Sequence, residues 1–75
     1  MALEWIKFKT VLTNFDCWGV SLESVDYFVT LESGKFISTI QNDECDTIAK
    51  KEFNTLNQAK KWCERKERKR LVNAI

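Results

Sequence analysis

Phe53-Asn54-Thr55-Leu56-Asn57-Gln58-Ala59-Lys60-Lys61-Trp62-Cys63 is the stretch on which the fold turns. Thr55 and Gln58 stand at the spacing of a capping box, in which each side chain satisfies one orphan backbone donor at a helix start. The signal predicts a helix over about residues 56–72. Leu56, Ala59 and Cys63 recur at helical spacing with Trp62 beside them, and Phe53 stands just ahead of the cap. Such a helix carries one apolar face and needs a surface to lay it on.

That surface is expected upstream. Val25, Tyr27, Val29 and Leu31 alternate with Asp26, Phe28 and Thr30, and Phe36, Ser38 and Ile40 alternate with Ile37, Thr39 and Gln41. Period two on both sides of Glu32-Ser33-Gly34-Lys35 reads as a β-hairpin, with Gly34 where a positive φ is wanted. Trp18, Val20 and Leu22 keep the same period in a shorter run, and Glu23-Ser24 supplies a turn. Residues 3–12 alternate with one slip between Trp5 and Ile6, the pattern either of a bulged strand or of a strand that pairs both faces with something apolar, before the turn formers Thr13, Asn14 and Asp16. The fold expected is α+β: an antiparallel meander of three to four strands with one C-terminal helix packed on one face. The strands fall at about 3–12, 17–22, 25–31 and 36–41, with a short extra one possible at 46–50. Lys50 and Lys51 then lie on a sheet edge, where charge discourages further pairing.

A chain of 75 residues has room for one domain and one core. No proline and only Gly19 and Gly34 argue against linkers or disorder. The odd set Cys17, Cys45 and Cys63, with no histidine and no Cys-x-x-Cys, points to free thiols in a reducing compartment and away from a zinc site. The N-terminus lacks the pattern of a secretory signal, and no apolar run reaches the ~20 residues of a membrane span. A cytoplasmic, membrane-free protein is expected. Catalysis lacks its parts: there is no phosphate-binding glycine loop and no nucleophile with an evident base. No enzyme and no cofactor are expected.

The formal charge of +1 conceals an uneven distribution. Up to Ile48 three lysines face eight acids, whereas from Ala49 onward nine basic residues face three acids. The expected sheet is acidic and the expected helix basic.

A meander followed by Phe53-Asn54-Thr55, Ala59-Lys60 and a capping helix, with Leu3-Glu4-Trp5 at the start, resembles the short sheet-plus-helix proteins of phages and prophages, among them anti-CRISPR and other counter-defence proteins. The same ending is similar to the arm-binding domain of phage integrases and to AP2-like DNA-binding domains. The first resemblance implies a non-catalytic protein in the host cytoplasm that docks on a host protein and inhibits it. The second implies strands that read DNA, yet every arginine here lies between Arg65 and Arg70 and the strand region carries the acids. A phosphate backbone would be repelled from such strands.

Two candidate sites follow. The first is a protein-binding set of Trp18, Phe28, Glu23, Asp26, Asp43, Glu44 and Asp46, an aromatic anchor with acids that meet a basic groove on the partner; against it stands ordinary loop solubility, the commoner reason for such acids. Asp43, Glu44 and Asp46 lack the glycine-spaced loop of a calcium site. The alternative is a nucleic-acid site at Arg65, Lys66, Arg68, Lys69 and Arg70, against which stands a solvated helix end paired with Glu64 and Glu67. Both sheet faces carry apolar residues and one helix covers only one, so either the other face is a binding or dimer surface or the N-terminal strand and the tail fold over it. Leu71 and Ile75, four apart on an extended helix, make a homodimer contact a third reading.

Overall fold

The computed structural model describes residues 3–9 and 15–73, which form five strands and one helix. β1 (Ile6–Lys9), β2 (Asp16–Ser21), β3 (Val25–Glu32), β4 (Lys35–Asn42) and β5 (Thr47–Phe53) make one antiparallel sheet in chain order, and α1 (Leu56–Asn73) follows. The α+β expectation holds, with one strand more than predicted. β5 is a full edge strand rather than a short addition, and its Lys50-Lys51-Glu52 run is exposed. A strand paired on one side and open on both faces for much of its length has little apolar periodicity to display.

The slip between Trp5 and Ile6 is not a bulge. β1 begins only at Ile6, while Leu3 and Trp5 lie against the helix: the Leu3 amide and the Trp5 indole both donate to Glu64 Oε2, at 3.1 and 3.4 Å. The remainder of the predicted first strand at Thr10, Val11 and Leu12, the turn at Thr13-Asn14, and Ala74 and Ile75 in the tail lie outside the described residues.

Register fixes which side chains share a face. Trp18 opposes Val29, Val20 opposes Tyr27, and Ile40 opposes Tyr27 on the other side, so these lie with Val25 under the helix. Tyr27, Val29, Ala59 and Cys63 are the centre of the core. The helix begins as predicted, with the Gln58 amide donating to Thr55 Oγ1 at 3.2 Å. It then runs obliquely back over the sheet: Ser38 Oγ donates to the Ala59 carbonyl at 3.1 Å, Tyr27 Oη to Glu67 at 2.7 Å, and Arg70 reaches Ser24 at 3.5 Å. The basic run therefore does not project free of the sheet. Its Glu67 is 3% exposed, packed over β3.

Two turns shape one end of the sheet. Val25 opposes Asn42, so the β2–β3 and β4–β5 turns lie side by side. In the second, Asn42 Oδ1 accepts from the Glu44 and Asp46 amides at 3.0 and 2.9 Å, and Cys45 takes a φ of 65°. At the opposite end Ser33 and Gly34, with φ of 50° and 77°, form the two-residue β3–β4 turn.

Candidate functional site

No element among the described residues packs across the face of the sheet away from α1, yet that face is only partly open: Cys17 on it is buried and Phe28 half-buried. The side chains that alternate outward there are Ile6 and Phe8 of β1, Cys17 and Gly19 of β2, Asp26, Phe28 and Thr30 of β3, and Ile37, Thr39 and Gln41 of β4. β1 thus extends this apolar face and does not fold over it. Ile6 is 69% exposed and Phe8 42%. The two rings of Phe8 and Phe28 close over Gly19 from the neighbouring strands: a Cβ there would stand 3.0 Å from Phe8 Cε1 and 3.1 Å from Phe28 Cδ1. A glycine inside a strand permits that approach. Beside it Phe8, Cys17, Phe28, Thr30, Thr39 and Gln41 border an open hollow of about 320 Å³.

One end of this face is acidic. Asp26 sits in the register of Phe28 and accepts from Ser21 Oγ at 2.6 Å. Glu23 is exposed in the adjacent turn, and Asp43, Glu44 and Asp46 are exposed in the turn next to it. The predicted protein-binding set thus comes together with one correction. Trp18 lies on the covered side, its ring 6.0 Å from Phe36 and under Lys7 Nζ at 5.5 Å, because the Trp18–Val29 register turns it toward the helix. Phe28 lacks the aromatic partner expected of it and has Phe8 instead. Phe8, Ile6 and Gly19 were not singled out from the sequence; the glycine between Trp18 and Val20 in an alternating run was the available signal.

The basic set divides differently. Arg65, Lys66, Arg68 and Lys69 are exposed, but Arg70 is engaged: its Nε and Nη2 donate to Glu67 Oε1 and Oε2 at 2.6 and 2.8 Å. Glu67, also bonded by Tyr27, is held below the usual carboxylate range chiefly by Arg70, against the cost of burial. The Tyr27 phenol is pushed up by burial and then by Glu67, and the Arg70 guanidinium is pushed up by Glu67. Arg70 is a structural residue and leaves the candidate nucleic-acid set. Nor do Glu64 and Glu67 pair with the rest of the run, since one serves Leu3 and Trp5 and the other Tyr27 and Arg70. Leu71 and Val72 are 41% and 64% exposed, while Ile75 falls outside the described residues.

Burial raises the Cys63 thiol to about 11, and it raises Cys17 against a hydrogen bond shared with Thr30, so neither is a ready nucleophile at neutral pH. Among the described residues no group of three His, Cys, Asp or Glu side chains is placed to hold a metal ion, and no helix is long and apolar enough to cross a membrane.

Comparison with known proteins returns no match: no family model, curated protein or solved structure matches the chain. The surfaces themselves carry the functional reading.

Proposed function

We propose that this chain is a small non-enzymatic binding protein that docks through its uncovered sheet face on a partner protein and inhibits or modulates it. The observation that carries this reading is the apolar strip of exposed Ile6 and Phe8 with half-buried Phe28, on a sheet whose other face is closed by the helix. An apolar strip beside Asp26 and the four turn acids complements a partner that presents an apolar side chain ringed by lysine or arginine. Proteins that handle nucleic acid carry such basic grooves, so a host defence complex of that kind is the proposed target. This agrees with the resemblance to phage counter-defence proteins. Steering by the acidic end raises the association rate, and the aromatic strip sets the lifetime of the complex.

The test uses purified nucleic-acid-cleaving defence complexes and follows both binding and cleavage. Inhibition by the native chain is expected, with at least tenfold weaker binding for Phe28→Asp and slower association for Asp43→Lys/Glu44→Lys/Asp46→Lys. Circular dichroism establishes that both variants remain folded. Absence of inhibition across the panel, or inhibition untouched by both variants, overturns the reading. A dimer in sedimentation that Phe28→Asp dissolves also overturns it, because the face then belongs to a second copy.

A further inference from the structure

The cations of the helix layer form a second surface, on the other side of the sheet from the apolar strip. An open cleft of about 610 Å³ runs between edge strand β5 and α1, where Lys35, Lys51, Lys61 and Arg65 meet a single carboxylate, Glu52. Arg65 also borders the next hollow along the helix, of about 450 Å³, with Lys66, Arg68 and Lys69. With Arg65 shared, the two hollows gather seven basic side chains against one acid. The sequence presents this helix as self-compensated, but Glu64 turns to the N-terminal segment, and Glu67 to Tyr27 and to Arg70, which is not one of the seven.

Three of the ammonium groups are held by neutral partners. Lys35 Nζ donates to Asn54 Oδ1 at 2.6 Å, Lys51 Nζ lies 5.6 Å over the Phe53 ring, and Lys66 Nζ lies 5.5 Å over the Trp62 ring. Such contacts fix a cation in place and leave its charge uncompensated. Among the described residues none of the seven makes an ion pair. From Lys61 to Lys69 the helical rise gives a row about 12 Å long, extended by the β5 lysine.

We propose that this cleft seats the phosphate backbone of a nucleic-acid strand, without regard to sequence. A row of charge matches a linear polyanion better than a single phosphate ion. A protein partner would need an apolar anchor. The rings here are unsuited to that, since Trp62 is 9% exposed and both rings lie beneath lysines, and the exposed apolar side chain that borders the second hollow, Val72, stands beyond Lys69 at the far end of the row of charge. Backbone phosphates require only the cations, and the guanidinium fork of Arg65 or Arg68 suits a phosphate's paired oxygens. The proposal goes beyond docking by the sheet face and stands independently of it.

The experiment is a fluorescence-anisotropy titration of the full chain against a labelled 20-mer, single-stranded and as a duplex. Salt is varied between about 50 and 200 mM, a range over which phosphate contacts reveal themselves. Binding of either form is expected, with log affinity falling linearly against log salt. Lys51→Glu/Lys61→Glu/Arg65→Glu is expected to lose at least tenfold in affinity and to flatten the slope by about three, one for each contact removed. Phe28→Asp should bind the 20-mer as the native chain does, which separates this surface from the sheet face. Lys9→Glu on β1 serves as the control for a charge reversal outside the cleft. No binding at low salt, or an equal loss for Lys9→Glu, overturns the proposal. Equally tight binding of polyglutamate or of phosphatidylserine vesicles also overturns it, since the cleft would then answer to negative charge of any source.

Discussion

The two layers of this domain leave different things unfinished. The sheet's outer face keeps apolar groups in water, Ile6 and Phe8 above all, while the helix's outer face keeps uncompensated positive charge. Between them the interface is fully resolved: Tyr27 meets Glu67, Ser38 meets the Ala59 carbonyl, and no buried polar side-chain atom among the described residues lacks a partner. The contrast teaches that the stabilising residues and the surfaces offered to partners are interleaved in sequence, one strand position or one helical turn apart. Arg70 is structural and Lys69 is not; Val29 is core and Phe28 is surface.

The sharpest way to break that division is Glu67→Ala. It removes the acceptor of a buried phenol and strands Arg70, at a cost of about 3 kcal/mol in urea unfolding, the lower end for a buried pair broken from one side because Arg70 is partly exposed. The same carboxylate predicts an acid limb. Its folded value lies below the ordinary 4.5, so its stabilisation is fully present above that value and is lost as pH falls through the depressed one. Glu67→Gln should flatten stability over that acidic window.

Gly19→Ala tests the open face from within. The new methyl meets ring edges at 3.0 and 3.1 Å, and because both rings border solvent they can yield, for a loss of about 1 kcal/mol rather than the larger penalty of a closed core. Pairing it with Phe8→Ala should recover part of the loss, a coupling visible in thermal melts. A smaller effect is expected for Phe28→Ser, within about 1 kcal/mol of native stability, since a partly exposed ring forfeits only part of its burial. A loss comparable to Glu67→Ala would mean that the open face is core after all. Least perturbing is a thiol titration with Ellman's reagent. Exposed Cys45 should react at once, whereas Cys17 and Cys63 should react only as the chain unfolds.

The parts of this fold that are local were legible. Thr55 caps a helix because of what lies three residues away, and the β3–β4 hairpin follows from alternation around Gly34. What escaped depends on partners far along the chain. Glu64 and Glu67 read as neighbours for nearby arginines and lysines, yet their partners include Trp5 and Tyr27, 59 and 40 residues away. Trp18 and Phe28 could be set on opposite faces only once Trp18 was known to oppose Val29. The cationic cleft was half visible in Arg65, Lys66, Arg68 and Lys69. Its other wall, Lys51 with Lys35, read only as edge protection and a turn, since nothing in the spacing says that β5 returns beside the helix.

Strand order in this sheet equals chain order, and that has a consequence for biosynthesis. Each hairpin can zip onto the last as it leaves the ribosome, with short loops to close and little entropy lost per step. The helix emerges after the sheet, so a nascent chain passes through a stage in which the meander has formed while Val29 and Ile40 still face water. Stalling or truncation at Phe53 would leave a sheet with apolar groups open on both sides, one of which the eighteen-residue helix closes.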